Sequence, residues 1–445
     1  MSLTENLIEL IENKNIEERD LEKAKWFLLD SIANIVAGRN TKPGKILNRW
    51  FLEEPPDTSR KVFFLGALMH ILEVDDLHRQ SVVHPGCVVI PTVLSLGLRE
   101  GISGIKMIEA VLKGFEACTR IGNSVGSKHY KIWHNTATCG PFGAAYAAGS
   151  ILELSKSQLL DALGNAGTQS SGLWEFVEFG NMSKHLHAGR AGQSGFLAAE
   201  LAKFGLSGAN TILEGKRGFY AAFCPDAIPE VLLKDQNGPW QLHKTSIKPW
   251  PCCRHTHPSI DAALELSDHL NQDNLKNIEL EVTQSAINVC YNPTPRTLYD
   301  AKFSLQHCVS VALLDGIVDF DSFDSEKCKR TSTMSSLINV KINKEFEDAY
   351  PDSWGAEVKI TLQSGELFSA RRFSAKGDPD SPLSTLEMKK KAETLFNYGG
   401  VKKPDYWVEK VLGIPTETSF SNSTIKNLFD FTGKNNKDIY NPEQY

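Results

Sequence analysis

The chain has 445 residues, too many for one ordinary hydrophobic core and enough for two domains. It is 41% hydrophobic and 23% charged, with a formal net charge of −6. That balance excludes the basic stripe of a nucleic-acid-binding protein, so any anionic substrate has to be attracted by local Lys, Arg and His side chains. The acidic start MSLTENLIELIENKNIEERD lacks the basic flank and apolar core of a secretory leader. The weakly polar stretch CGPFGAAYAAGSIL is too short and too rich in Gly and Ala for a bilayer span. Nine scattered cysteines without a CxxC pair read as thiols of a reduced, cytoplasmic protein.

From residue 18 to about 243 the apolar period is helical. Leu21, Ala24, Leu28, Ile32 and Val36 follow one face, with Gly38 placed as a C-cap. Ile108, Val111, Leu112 and Phe115 repeat the pattern, as do Leu159, Leu160 and Leu163, and QSGFLAAELAKFGLSG predicts a helix ending at Gly205. Frequent Gly and Ala between 138 and 200 predict helices packed closely together. Strand alternation then appears at Ile278, Leu280 and Val282, at Ile338, Val340 and Ile342, and at Val358, Ile360 and Leu362, where Ser364-Gly365 signals a hairpin. A helical stretch, SLQHCVSVALLDG, lies among these strands, and TLEMKKKAETLFNYGG returns to helix. The patterns predict a mainly α fold with an α+β part. A large all-helical domain would be built from both chain ends (1–244 and 385–445), with a smaller α+β domain at 245–384.

Five stretches concentrate polar groups beside Gly or Pro turns. EVDDLHRQSVVHPG carries Glu73, Asp75, Asp76, His78 and His84; KIWHNTATCGPFGAA carries His134. GNMSKHLHAGRAGQSG carries Lys184, His185, His187 and Arg190; TSIKPWPCCRHTHPS carries Lys248, Arg254, His255 and His257; AKFSLQHCVS carries Lys302, Gln306 and His307. Each has an ordinary structural reading: an Asp-Asp pair caps a helix, a lone His packs, a Lys lies on the surface. Metal binding by Asp75, Asp76, His78 and His84 finds no HxxxH or HxxE spacing to put the ligands on one helical face. The prolines around His255 and His257 spoil a strand-face chelate, and Cys252-Cys253 matches no zinc or iron–sulfur spacing and reads as buried packing. Neither a GxSxG elbow nor a catalytic cysteine setting is present, nor a Walker loop or GxGxxG after a strand. What remains is an acid–base site with cationic anchors, suited to removing a proton beside a carboxylate on a small polyanion.

Read in order, VDDLH…HPG, WHNTATCGPFGAA, MSKHLHAGRAG, IKPWPCC and AKFS…ALLDG resemble the MmgE/PrpD family, from about residue 5 to about residue 420. That family includes 2-methylcitrate dehydratase, cis-aconitate decarboxylase and iminodisuccinate epimerase. The resemblance implies a helical domain and an α+β lid with the site between them, a homodimer, and neither metal nor organic cofactor. Position by position, it implies active-site roles for His84, His134, Lys184 and Lys248, and it puts Glu73 where decarboxylase-like members have an aspartate. Two positions depart from the decarboxylase pattern. Leu77 stands where those members carry a hydroxyl residue, and His307 where they carry a tyrosine.

The expected activity is hydration or dehydration of a small di- or tricarboxylate. His84 or His134 would take the α-proton, and Lys184, Lys248 and Arg190 would bind carboxylates. His78 or His307 would assist loss of hydroxide. Glu73 would line the site, and Asp75 and Asp76 would either contact substrate or support His84. Two alternatives are an epimerase or racemase working through the same carbanion, and a metal-dependent hydrolase.

Overall fold

A computed structural model describes residues 1–270 and 275–429; 271–274 and 430–445, which the expected domains include, lie outside the described residues. The chain divides into two compact units, one of Met1–Thr245 with the stretch that begins at Ser384, the other of Ser246–Leu383. The architecture is mainly helical, with α+β character in the second unit. Among the described residues no helix is long and apolar enough to cross a membrane.

A helix not expected from the periodicity, α1 (Leu3–Glu12), opens the first unit. Ser2 and Glu5 satisfy each other's backbone amides in a capping box, and Leu7, Ile8 and Ile11 are buried. In α2 (Glu18–Gly38) Ala24, Leu28, Ile32 and Val36 of the expected stripe are buried, while Leu21 in the first turn is half-buried. Gly38 corrects the sequence reading: it is the last helical residue, not a left-handed cap. A Cβ there would lie 2.1 Å from the carbonyl oxygen of Leu68, so glycine is required by close packing. Then follow α3 (Lys42–Leu52), α4 (Thr58–Met69), α5 (Gly86–Glu100), α6 (Gly104–Ser124), α7 (Asn135–Ile151), α8 (Lys156–Gly167) and α9 (Ser183–Lys203). Helix α9 packs on α4, α7 and α8. The approach to α7 is close enough that a Cβ on Gly195 would lie 2.3 Å from the Pro141 carbonyl oxygen, as the Gly and Ala content predicts. This packing brings the start of α9 to the end of α4 and the start of α7.

In the second unit, α10 (His257–Leu266), α11 (Leu305–Asp315) and α12 (Ser325–Leu337) accompany a four-stranded sheet. Its strands are β1 (Leu275–Val282), β2 (Ile338–Ile342), β3 (Ala356–Leu362) and β4 (Leu367–Arg372), in the order β2-β1-β3-β4. β1 runs parallel to β2, with Leu280 opposite Val340, and antiparallel to β3, with Ile278 opposite Ile360. Alternation puts Ile278, Leu280, Val282, Val358 and Ile360 into one core with residues of α10 and α11. Gly365, at φ 90°, turns the β3–β4 hairpin. The chain rejoins the first unit through α13 (Thr385–Tyr398), which packs on α2.

Candidate active site

The segment joining α4 to α5 is buried from Ile71 to Arg79, unusual for a connection dense in charge. Glu73 and Val82 have φ of 60° and 51°, in the left-handed region where side chains, above all a β-branched one, are strained. Such strain concentrates where surrounding structure holds a functional loop in place. His70 caps α4, and its Nδ1 lies 2.6 Å from Asp75 Oδ2. The same oxygen lies 3.3 Å from His84 Nδ1, which also sits 2.7 Å from the Asp76 carbonyl oxygen. A carbonyl only accepts, so His84 carries its hydrogen on Nδ1 and, when neutral, keeps a bare Nε2. The His84 amide donates to Thr136 Oγ1 at 3.0 Å, tying this loop to the start of α7. Burial alone would raise the Asp75 carboxyl, but the charges and hydrogen bonds of His70 and His84 hold it well below the usual range.

Lys184, in the first turn of α9, donates to both carboxylate oxygens of Glu73 at 2.6 Å, and both side chains are buried. His134 precedes α7, its amide donating to the Gly172 carbonyl oxygen at 3.0 Å. Its ring stacks on His70 at 5.7 Å, lies 4.8 Å from that of Trp174, and has Nδ1 3.3 Å from Nδ1 of His187. Burial, then the nearby charges of Lys184, His187, His70 and His84, push the His134 pKa well below that of an ordinary histidine. His134 is therefore neutral at neutral pH, the state a general base needs. Glu73, Asp75, His84, His134 and Lys184 thus meet in the first unit. His70 and His187 join them unpredicted. His187 stood in a motif without an assigned role; His70 ends the apolar run KVFFLGALMH, and its only local signal is a helix C-terminus five residues before Asp75.

Other expected residues take different places. Asp76 accepts from the Gly86 amide with both oxygens, at 3.2 and 3.0 Å, holding the start of α5. Burial, with Asp75 and Asp30 nearby, raises its carboxyl well above the usual range. His78 has both ring nitrogens engaged, Nδ1 by Ser81 and Nε2 by Gln241 Oε1, and burial drives its pKa down to about 3. With both nitrogens engaged, His78 is not arranged to assist a leaving hydroxide. Arg190 is corrected outright: it lies exposed on α9 and donates to Gln193. His307, in the second unit, is likewise a packing histidine, with Nδ1 2.9 Å from Thr331 Oγ1 and Nε2 2.9 Å from the Ser322 carbonyl oxygen. Lys248 is buried in the second unit, where the Ile247 amide donates to Gly377. Cys252 and Cys253 are buried thiols outside any disulfide, as are the other seven cysteines. The four-residue metal set of Asp75, Asp76, His78 and His84 is not assembled. One donor atom each from His70, Asp75 and His84 does lie within 4.8 Å of the others, and the hydrogen bonds through Asp75 account for that proximity.

Fold and cluster together define a protein with a helical unit that buries histidines, a lysine and carboxylates in acid–base contact. A model of the MmgE/PrpD N-terminal domain matches residues 6–232, and one of the MmgE/PrpD C-terminal domain matches residues 250–405. The chain belongs to the MmgE/PrpD family. It is 28% identical to a cis-aconitate decarboxylase of Mus musculus over 349 residues, covering 74% of this chain and 70% of the relative. It is 28% identical to one of Aspergillus terreus over 387 residues, covering 78% and 75%, and 25% identical to the Homo sapiens enzyme over 411 residues, covering 85% and 83%.

Proposed function

We propose that this chain is a lyase that hydrates or dehydrates a small di- or tricarboxylate by acid–base catalysis without a cofactor. The observation carrying this reading is the buried cluster itself: neutral His134 and a His84 with a bare Nε2 stand beside the Lys184–Glu73 pair. In dehydration one of these imidazoles takes the proton α to a carboxylate. The electron pair of the broken C–H bond delocalises into that carboxylate beside the Lys184 ammonium, then expels the β-hydroxyl as water once an acid has protonated it. Lys248 keeps the anchoring role implied by the motif resemblance, which Lys248→Met tests separately.

A second reading, decarboxylation, is supported by the relatives, which are cis-aconitate decarboxylases. Leu77 and His307 weigh against it, because the first is apolar and the second is occupied by Thr331 and Ser322. The test is NMR of the protein with a panel of di- and tricarboxylates in deuterated water. Gain or loss of a double bond supports the hydro-lyase, and release of carbon dioxide replaces it with the second reading. α-Hydrogen exchange with inversion alone makes the protein an epimerase, and an inert panel overturns the proposal. The proposed setting is a cytoplasmic homodimer, tested by sedimentation and by localisation of the tagged chain.

A further inference from the structure

We propose that His187 is the proton outlet of the site, relaying protons between His134 and water; this rests on the acid–base reading above. The two rings meet Nδ1 to Nδ1 at 3.3 Å. Two bare nitrogens would oppose their lone pairs there, and two N–H groups would oppose their hydrogens, so the pair holds one hydrogen between them. The partners differ in access: His134 is 1% exposed, whereas His187 is half-buried. His134 is enclosed by His70, His84 and Trp174, while His187 meets the edge of Phe176. Any proton that His134 takes up needs a path out. Trp174 also touches His134 and is half-buried, but an indole only donates. Among the imidazoles in contact with His134 the half-buried one is His187, with His70 and His84 buried. Burial, followed by the charges of His70 and Lys184, lowers the His187 pKa to about 4, so both rings are neutral at neutral pH and neither blocks transfer with a fixed charge.

The transfer balances. A proton from substrate bonds to Nε2 of His134; the hydrogen on Nδ1 of His134 passes to Nδ1 of His187; the hydrogen on Nε2 of His187 leaves to water. One proton enters, one leaves, and both rings end neutral as the opposite tautomers. Running the steps backwards returns a proton to the site and resets the pair.

The test begins with the parent protein and whichever carboxylate it turns over in deuterated water. His187→Ala is expected to lower α-hydrogen exchange by about 10²-fold, the lower end of what a positioned proton carrier contributes. Added imidazole is expected to restore the rate in proportion to its concentration. His187→Gln, which fills the space, should show the same loss with less rescue. Parent-like exchange in both variants, or a loss that imidazole leaves untouched in a variant with parent-like circular dichroism, overturns the relay. If the parent turns over none of the panel, the functional reading fails but the relay is still decided by ring ¹⁵N NMR. One protonated and one bare Nδ1 at His134 and His187, both altered in the partner's variant, supports it; hydrogens on Nε2 alone in both rings overturn it.

Discussion

Glu73 and Lys184, separated by 111 positions, form a buried ion pair with the Lys184 ammonium 2.6 Å from each carboxylate oxygen. Glu73 reaches it from a left-handed backbone, and Lys184 from the first turn of α9, held by the packing of α9 on α4. Removing one member of a buried pair strands the other's charge, which costs about 3–5 kcal/mol, whereas removing both charges is often close to neutral. Lys184→Met should therefore destabilise the first unit by about that much, and adding Glu73→Gln should recover most of it. Turnover should stay lost in both, because the ammonium beside the developing carboxylate charge is gone. Urea unfolding and activity on one set of variants separate the two roles. Activity returning together with stability would mean that Lys184 is only structural.

Asp75 and Asp76 are neighbours with opposite assignments. Asp75 Oδ2 serves the Nδ1 groups of both His70 and His84, while Asp76 holds the Gly86 amide and has its carboxyl pushed upward by burial and by Asp75. Asparagine keeps an oxygen that can accept from the Gly86 amide, but it is a poor acceptor for two imidazole N–H groups at once. Asp75→Asn should lower turnover by at least about 10–100-fold, the usual cost of losing the group that orients a functional histidine. Asp76→Asn should stay within a few-fold of the parent. Equal losses in steady-state assays would refute the division.

Gly172 lies at φ 133°, and a Cβ there would be 2.4 Å from the Ala137 Cβ and 3.4 Å from Cγ and Nδ1 of the His187 ring. Its carbonyl also receives the His134 amide. Gly172→Ala should lower stability by about 1–3 kcal/mol from backbone strain and reduce turnover by moving His134 and His187 apart. Thermal unfolding with ring NMR of the two histidines would detect both effects. An unchanged His134–His187 pair would show that the loop is not what sets it.

Regular periodicity made the fold class legible, because α6, β1 and β3 bury the very positions their sequences mark, and α2 buries all of its marked positions but Leu21. The polar helix α12 was not legible: it is set by the Asp324 cap and by packing on α11, and its residues carry no apolar stripe. At the site, motif spacing brought out the charged loop and the lysine, but not which histidines face one another. His70 and His307 each look like a lone histidine in apolar sequence. Only folding shows that His70 meets Asp75 while His307 spends both nitrogens on Thr331 and Ser322. Arg190 misled for a related reason. It shares a motif with Lys184, yet its position on α9 turns it to solvent, and a helix separates by face what a sequence lists side by side.

Buried neutral histidines also make stability depend on pH. His78 has a folded-state pKa of about 3 and His187 of about 4, both lowered first by burial from the ordinary 6.5. Below pH 6.5 the unfolded chain binds protons at these rings that the folded chain refuses, so stability falls as pH falls, until each ring protonates in the folded state near its own lowered value. Above pH 6.5 neither form is protonated and the contribution is flat. Asp76, with its raised pKa, works in the opposite sense, since the folded state holds a proton that the unfolded carboxylate gives up as pH rises. Each unit of pH crossed costs at most about 1.4 kcal/mol per histidine, so His78 alone is worth on the order of 2–3 kcal/mol between pH 6.5 and 4.5. His78→Gln removes the titration while leaving Asp76 in place. Its urea midpoint should therefore fall less steeply than the parent's over that range, the two curves running parallel above pH 7. Parallel curves down to pH 4.5 would mean that His78 is protonated in the folded protein, and that Ser81 and Gln241 do not hold it neutral.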